Sequence, residues 1–297
     1  MPALICGSLA FDTITTFPGR FADQIMADQV HILNVSFLVP TLRREFGGCA
    51  GNIAYNLQSL GGQPVILGAL GVDGGEYLAR VKAWGSDVSL IYRDAQLHTA
   101  QCHITTDRDN NQIAAFHPGA MSRAHEMAVP AKGVRSDLAI GIIAPDGRDA
   151  MWQHAHQLAE QQIPFIFDPG QQLPQFNGDE HREILGLARW VAVNDYEGRM
   201  LEERTGENAA AISRRARAWG RFAQRTIDRR YCGLPFIPGP AAVWFATAVR
   251  LAGGRPSAHC WQPFGQPAAP DYGSCLWCGG PLSARAYCPC SPAPAHV

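Results

Sequence analysis

Short apolar runs alternate with helical segments along the first two thirds of the sequence. Runs with the length and composition of strands occupy Leu4–Leu9, Pro64–Leu70, Leu138–Ala144, Pro164–Asp168 and Trp190–Asn194. Segments with a helical spacing of apolar residues lie between them, at Gly51–Leu60, Gly75–Trp84, Arg148–Gln161 and Glu180–Ala188. Strands separated by helical segments of roughly 10–15 residues are typical of a parallel sheet that helices cover. We therefore predict an α/β fold with a central, mostly parallel sheet.

Three of the predicted strands end in polar residues. The first run continues into Asp12, the fourth ends at Asp168–Gly170, and the fifth ends at Asn194. In open α/β sheets, ligands bind in the crevice at the carboxyl ends of the strands. The polar ends therefore indicate a ligand site at that edge of the sheet.

Residues 13–45 interrupt the alternation of strands and helices. Val30–Leu38 is rich in residues that favour strands, and it follows the first strand with no helix between them. Farther along, Thr99–Thr106 and Gln112–His117 alternate with a period of two around a polar turn, which predicts a hairpin. We interpret residues 13–45 as a small excursion of strands off the main sheet, a β-lid.

The charge of the chain is divided unevenly, although its formal net charge is only −1 over 297 residues. Residues 1–207 contain 15 Lys and Arg against 24 Asp and Glu, whereas residues 208–297 contain ten Arg against Asp228 and Asp271. The last ninety residues also hold six of the nine Cys and eleven of the 21 Pro, and Ala241–Leu251 is their one helical pattern. We therefore predict an ordered domain at 1–207 and an atypical tail at 208–297.

Composition also limits the class of protein. Hydrophobic residues make up 46% of the chain and charged residues 17%, which is enough apolar material for a packed core. No run of eighteen apolar residues occurs, so a transmembrane helix is not expected. The first residues lack the basic n-region and the cleavage site of a signal peptide. We expect a cytoplasmic protein with no membrane partner.

The densest motif is Arg43–Asn52, RREFGGCAGN, which leads into a helix that ends at Gly61-Gly62. Glycines before a helix allow a ligand to approach the backbone, and the first N–H groups of a helix are free to bind it. Asn52 can donate and accept hydrogen bonds toward a hydroxyl. A tight turn with an Asn cap explains the same residues without a ligand, and spacing alone does not separate the two interpretations.

With four other features, this motif resembles the N-terminal signature of the ribokinase-like (PfkB) carbohydrate kinases, which phosphorylate sugars and nucleosides with ATP. The strand that leads to Asp12 resembles the family strand whose Asp binds sugar hydroxyls. Thr105–Ala120 is similar to a segment of the adenosine-kinase-like branch, and Phe167–Gly170 to an Asp-containing strand end. Asn194–Glu197 matches the family's N-x-x-E motif. The resemblance covers about residues 3–207.

The resemblance implies a ribokinase-like three-layer α/β sandwich and an ATP- and Mg²⁺-dependent kinase for a sugar or a nucleoside. The residues that it implies for substrate binding are Asp12, Gly47, Gly48, Asn52 and Phe116. It assigns Asn194 and Glu197 to the metal and the phosphate. Lids of this kind pair between subunits, so the resemblance also implies a homodimer.

Each of these assignments has a purely structural alternative. Asp12 would close a turn, and Phe116 would belong to the core. Asn194 and Glu197 would cap a helix, because acidic and amide side chains suit helix starts. A turn or capping role is also the expectation for Asp168, rather than a role in catalysis.

The catalytic base of the family is an Asp in a late glycine-rich motif of the G-A-G-D type, and a T-x-G-x-x-G nucleotide-binding stretch precedes it. Neither motif occurs after Glu207, and neither Asp228 nor Asp271 follows a glycine turn that opens a helix. The base therefore stays unassigned, and we predict an impaired kinase. The alternative is a catalytically inactive, substrate-binding remnant or pseudokinase. Arg without Lys, few acids and abundant Pro, Gly and Cys lead to the hypothesis that the reading frame changes near residues 207–230.

The tail offers two further patterns, and both are weak. Cys275 and Cys278 form a good half of a zinc ribbon, but Cys288 and Cys290 have an unusual spacing for the second half. Arg214–Arg230 is rich in positive charge, which binds phosphate backbones, yet it lacks interleaved aromatic residues. A zinc- or nucleic-acid-binding tail is therefore the third and least favoured hypothesis, and nucleic acid is not an expected partner.

Overall fold

The computed structural model describes residues 2–215. The strands of this part are β1 (Pro2–Cys6), β2 (Ala10–Thr16), β3 (Thr41–Gly47), β4 (Gln63–Leu70), β5 (Asp87–Arg93), β6 (Ala100–Thr106), β7 (Gln112–His117), β8 (Ile140–Ile143), β9 (Phe165–Phe167) and β10 (Trp190–Val191). The α-helices are α1 (Cys49–Ser59), α2 (Gly75–Ala83), α3 (Arg148–Glu160), α4 (Gly178–Leu187), α5 (Asp195–Thr205) and α6 (Ala209–Arg215). The predicted helix at Ala241–Leu251, the tail cysteines and most of Arg214–Arg230 lie outside the described residues.

Six parallel strands form the main sheet, in the order β10-β9-β8-β1-β4-β5. This arrangement confirms the predicted α/β fold with a central parallel sheet. All five predicted strands are present, and α1 to α4 occupy the four predicted helical segments within one or two residues. The edge strand β5 was not predicted, because its exposed face and mixed composition give it no clear apolar period.

Helices cover both faces of the main sheet, which confirms the predicted three-layer sandwich. Side chains alternate between the two faces of a strand. In β1, Leu4 and Cys6 therefore enter the core formed with α3, α4 and α5, whereas Ala3 and Ile5 enter the core formed with α1 and α2. Among residues 2–215, no helix is both long and apolar enough to cross a membrane.

The remaining four strands form a small sheet in the order β3-β2-β6-β7. The β6–β7 pair is the predicted hairpin. The prediction that the first strand of the main sheet delivers Asp12 is wrong, since β1 ends at Cys6 and Asp12 lies in β2 of the small sheet. The break falls at Gly7 and Ser8, whose N–H groups bond to Leu67 and Pro145 on the two neighbouring segments of the main sheet.

The prediction of a strand at Val30–Leu38 is also wrong. Residues Ala27–Ile32 form a short 3₁₀ helix, and the strand of this region is β3 at Thr41–Gly47. The apolar side chains that suggested a strand remain outside the core, with Leu38 87% exposed. β3 is a strand although four of its residues are polar, because all seven of its residues pair with β2. The excursion predicted at 13–45 therefore exists, but the small sheet also includes the hairpin.

Candidate active site

The candidate site lies at the carboxyl ends of β1 and β8. The strand order reverses at this point, because the chain continues from β1 to β4 on one side and later returns to β8 on the other. Ser8, just beyond β1, donates its backbone N–H to the carbonyl oxygen of Pro145, just beyond β8, at 3.0 Å. Such a reversal opens a crevice in which α/β proteins bind ligands.

A glycine turn leads into α1 beside this crevice. Gly48 has φ +87° and ψ 145°, a conformation for which glycine is suited, and it is the residue that precedes the first turn of the helix. Ser8 holds that turn, since the N–H of Cys49 donates to its Oγ at 3.0 Å and the N–H of Ala50 donates to its carbonyl oxygen at 2.9 Å. Two of the helix-start amides that were predicted to be free for a ligand are therefore already bonded.

Asp12 lies against this turn. Its side chain leans over Gly47, where a Cβ atom would overlap the carboxylate, so any larger residue at position 47 would displace the Asp12 side chain. Asp12 is 5% exposed, and burial together with the nearby charge of Glu45 raises its pKa to about 6. A buried carboxylate near like charge is the pattern of a functional group rather than a turn-closing one. Asp12 accepts no hydrogen bond from the other residues within 2–215.

Asn52 projects from the first turn of α1, three residues after Cys49. Its backbone N–H continues the helix by donating to the carbonyl oxygen of Gly48 at 3.1 Å. The side chain is half-buried, and its amide has no hydrogen-bond partner in the described part of the chain. Both of its polar atoms therefore remain available for a ligand.

A row of four side chains crosses the small sheet through Asp12. In the register of the strands, Asp12 is opposite Glu45 on one side and Cys102 on the other, and Cys102 is opposite Phe116. Directly opposite residues project from the same face of a sheet. We call Glu45, Asp12, Cys102 and Phe116 the transverse row.

The aromatic end of the transverse row is open. Phe116 is 49% exposed, so the alternative that it belongs to the core is wrong. Neighbouring strands are about 4.8 Å apart, which places Phe116 about 10 Å from Asp12 across β6. A carboxylate and an exposed ring thus face the same side of the sheet, at a separation comparable to the length of a nucleoside.

Two further acids, Asp146 and Asp168, follow β8 and β9. Both are at least 95% buried, and their negative charges, with that of Asp12, help to raise the pKa of the Cys49 thiol to about 12, after burial itself. Three carboxyl groups thus converge near the start of α1. Oδ1 of Asp146 accepts the N–H of Gly147 at 2.9 Å, while its Oδ2 has no partner among the described residues.

Sequence reasoning missed Asp146 and expected only a turn or capping role for Asp168. The carboxylate of Asp168 does accept the N–H of Gly170, as a capping residue would. It also lies close enough to Glu197 that this charge, added to burial, raises its pKa well above the ordinary value. The signal for Asp146 was available, because it stands just after an apolar run as Asp168 does.

Asn194 and Glu197 form a capping box at the start of α5, as the structural alternative predicted. Oδ1 of Asn194 accepts the N–H groups of Tyr196 and Glu197 at 3.0 and 2.9 Å, and Oε2 of Glu197 accepts the N–H of Asn194 at 2.8 Å. The cap fixes the Glu197 carboxyl group beside Asp168. Asn194 therefore positions Glu197, and its side-chain oxygen already accepts two hydrogen bonds from the backbone.

The Asp168 and Glu197 pair fits a hydrated Mg²⁺ ion. The two carboxyl groups influence each other electrostatically and offer the oxygen ligands that this ion prefers, and Mg²⁺ is usually held by one or two carboxylates with waters and substrate phosphates. Within residues 2–215, no three His, Cys, Asp or Glu side chains are grouped so as to hold a metal by themselves. A dedicated protein metal cage is thus not a feature of the described chain.

We expect Asp146→Asn to make the free energy of unfolding fall less steeply as the pH rises. Burial raises the pKa of Asp146 to about 8, so the folded protein keeps a proton that the unfolded chain releases above about pH 4. Stability therefore falls as pH rises from about 4 to about 8, by at most about 1.4 kcal/mol per pH unit for one proton. The amide cannot ionise and lacks this contribution.

Urea unfolding at pH 5, 6.5 and 8 measures this difference. The variant should gain stability relative to the wild type as pH rises, whereas the exposed Asp149→Asn control should follow the wild type. Parallel pH profiles for wild type and Asp146→Asn would show that Asp146 is not protonated in the folded protein.

Comparisons with known proteins show which family the chain resembles. The pattern of the pfkB family carbohydrate kinases matches residues 20–224. A nucleoside kinase of Methanocaldococcus jannaschii is 29% identical over 167 residues, which are 55% of this chain and 53% of the relative. One from Methanothermobacter thermautotrophicus is 27% identical over 198 residues, 65% of this chain and 60% of the relative. The chain spans between half and two thirds of the length of these curated relatives.

A solved structure is more similar. The nucleoside kinase of Burkholderia thailandensis in complex with inosine is 48% identical, with a TM-score of 0.64 over 72% of this chain and 67% of that one. The same kinase in complex with ADP-inosine is 50% identical, with a TM-score of 0.62 over 72% and 66% of the two chains. The family pattern covers more than half of this chain, including the glycine turn, Asp168 and Asn194. The chain therefore belongs to the pfkB family of carbohydrate kinases.

Proposed function

We propose that this protein is an ATP-dependent phosphotransferase of the nucleoside kinase type, with impaired phosphoryl transfer. The observation that carries the nucleoside assignment is the transverse row, in which Asp12 and Phe116 face one side of the small sheet about 10 Å apart. A free sugar would reach only the Asp12 end of the row. A nucleoside would also bring its base to the exposed ring, and aromatic stacking is a sequence-tolerant way to bind a base. The inosine complex of the similar Burkholderia kinase supports this assignment.

The residues around the glycine turn would bind the acceptor half of the substrate. Asp12, once ionised, would accept hydrogen bonds from ribose hydroxyls, and the amide of Asn52 would both donate and accept. Gly47 would let the ribose approach the backbone beside Asp12, because it presents no Cβ atom there, and Gly48 would hold the turn that positions it. The small sheet would act as the lid, since it supplies both Asp12 and Phe116. These groups orient the substrate, and orientation is a large part of phosphoryl-transfer catalysis.

Asp168 and Glu197 would serve the phosphate side of the reaction. Mg²⁺, when bound, would neutralise the charge of the nucleotide phosphates. The capping box on Asn194 would keep Glu197 in place for that ion. ATP as phosphate donor is the family's expectation, and the ADP-inosine complex of the Burkholderia kinase is consistent with it.

The proposed impairment rests on the sequence after Glu207. This stretch contains Asp228 and Asp271 but neither the G-A-G-D nor the T-x-G-x-x-G pattern of the family. We propose that residues 208–297 are translated out of frame and that the base is lost with the native reading frame. Resequencing the locus tests this: one or two additional bases near codons 207–230 should restore a G-A-G-D motif, and a locus in which no frame encodes it would refute the idea.

We also propose that the protein is cytoplasmic and that it forms a homodimer through the small sheet. Leu42 and Ile113 lie in the opposite edge strands and project from the face away from Asp12, and they are 68% and 45% exposed. Exposed apolar groups on one face favour burial against a second copy. Sedimentation equilibrium of the full chain should give twice the chain mass, and a monomer at all concentrations would rule the dimer out.

A turnover assay separates the impaired kinase from a catalytically inactive binding protein. The full chain is incubated with ATP, Mg²⁺ and inosine, adenosine or ribose, and nucleoside monophosphate is measured together with ADP. Slow, nucleoside-dependent formation of monophosphate is the expected result. Inosine binding without any monophosphate would favour the pseudokinase alternative. Phosphorylation of ribose in preference to either nucleoside would contradict the nucleoside assignment.

A further inference from the structure

Glu45 occupies a position that the fold alone does not explain. It stands directly opposite Asp12 in the antiparallel β2–β3 pair, so the two acidic side chains project from the same face with their Cβ atoms about 5 Å apart. Like charges directly opposite each other destabilise a sheet. The charge of Glu45 is also the second cause, after burial, of the raised pKa of Asp12.

The neighbouring cation offsets this repulsion only in part. Arg43 lies two residues earlier on the same face, but its Nε is 4.0 Å from Oε1 of Glu45, at the outer limit of an ion pair. On the opposite face, the guanidinium of Arg44 lies 2.9 Å from Oε1 of Glu76 and also lies over the ring of Phe11. On that face the small sheet thus pairs a base with an acid of α2, whereas acid stands against acid on the face of the transverse row.

We propose that Glu45 is a second substrate-binding carboxylate, which with Asp12 binds the two adjacent hydroxyls of a nucleoside's ribose. This inference rests on the proposed function and adds a specificity-determining residue to it. Two carboxylates side by side accept hydrogen bonds and donate none, so they match a vicinal diol, which presents two neighbouring donors. The ligand's hydroxyls supply the donors that the protein does not.

The position of Glu45 also fixes the direction of the ligand. Glu45 lies at one end of the transverse row and Phe116 at the other, with Asp12 next to Glu45 and Cys102 next to Phe116. The ribose would lie over the acidic half and the base over Cys102 and Phe116. The side chain of Glu45 is 22% exposed, so it is sheltered from water and still accessible to a ligand. Substrates that lack one hydroxyl would leave one carboxylate unsatisfied.

Calorimetric titration of the full chain with inosine, 2′-deoxyinosine and 3′-deoxyinosine tests the inference. The variant is Glu45→Gln, and the matched control is Glu76→Gln, which removes an acid of α2 that pairs with Arg44 on the opposite face of the small sheet. Wild type and control should bind inosine at least tenfold more tightly than one of the deoxynucleosides, since hydrogen bonds to charged groups contribute factors of about 10 to 150. In Glu45→Gln, inosine binding should weaken about tenfold and that preference should shrink to less than threefold.

Thermal unfolding of the same variants distinguishes binding from folding. Removal of a repelling charge should leave Glu45→Gln at least as stable as the wild type. If Glu45→Gln is stable and keeps both the inosine affinity and the preference for the ribonucleoside, the inference is overturned while the proposed function stands. A large loss of stability would assign Glu45 to the fold and would also overturn it. Failure of the wild type to bind any nucleoside would overturn the inference together with the proposed function.

Discussion

Asp12→Asn is expected to weaken inosine binding about 100-fold, because it removes the charge from the carboxylate that faces the ribose hydroxyls. Each hydrogen bond to a charged group contributes about 1.5–3 kcal/mol, and the upper part of this range corresponds to about 100-fold in affinity. The variant should remain folded, since Asp12 accepts no hydrogen bond from other residues in 2–215 and carries the strain of a buried charge. Isothermal titration with inosine measures the effect.

The pH dependence of wild-type binding gives an independent test of the same residue. Burial and Glu45 raise the pKa of Asp12 to about 6, so the side chain gains a proton as pH falls below this value. A protonated Asp12 loses one acceptor and its charge, and inosine affinity should fall about tenfold from pH 7 to pH 5. Asp12→Asn should lose this dependence.

Asp109→Asn is the matched control for Asp12→Asn. Asp109 is half-exposed in the turn between β6 and β7, where it pairs with Arg20 at 2.9 Å, far along the small sheet from the glycine turn. Its variant should bind inosine as the wild type does. Equal affinities for wild type and Asp12→Asn would remove Asp12 from the site.

Gly48→Ala is expected to lower the free energy of unfolding by at least about 3 kcal/mol, from two additive causes. The backbone there has φ +87° and ψ 145°, a region that is occupied essentially by glycine and costs an alanine about 1–3 kcal/mol. The new Cβ would also lie 2.5 Å from the carbonyl oxygen of Ser8 and 2.7 Å from the backbone nitrogen of Ala10. Both neighbours are backbone atoms at the junction of the two sheets, so they cannot move aside as a side chain does.

Gly61→Ala separates these two causes. Gly61 has φ +80°, close to that of Gly48, but no atom lies within 4 Å of its Cβ position. Its variant should therefore lose only the conformational contribution, about 1–2 kcal/mol. Urea unfolding of both variants gives the comparison. Similar losses of unfolding free energy at the two positions would show that a Cβ at position 48 does not clash with Ser8, and would contradict the close packing of the glycine turn.

Most of the main sheet was predictable from sequence, because each of five strands is a short apolar run that can be recognised from its own residues. Periodicity located five of its strands and the helices between them within a few residues. Asp12, the glycine turn and Asn194–Glu197 were identified by the resemblance to a family. Asn194 and Glu197 also satisfied the structural alternative, since an N-x-x-E sequence at a helix start forms a capping box whatever else it does.

The small sheet was not predictable in the same way. Its central pair joins β2 to β6, with Asp12 opposite Cys102, ninety residues later in the sequence. No local pattern encodes such a pairing, so the transverse row could not be assembled from sequence. Glu45 therefore looked like one polar residue of a basic and acidic stretch. The prediction of a strand at Val30–Leu38 was wrong for the converse reason. Residues that favour strands form one only where a partner strand exists.

Titration of the full chain with inosine and with ribose tests the central claim most directly. We predict saturable binding of one inosine per chain and at least tenfold weaker binding of ribose, because ribose satisfies Asp12 but leaves Phe116 uncovered. Absence of saturable inosine binding, or equal affinities for inosine and ribose, would contradict the claim that the transverse row is a nucleoside site.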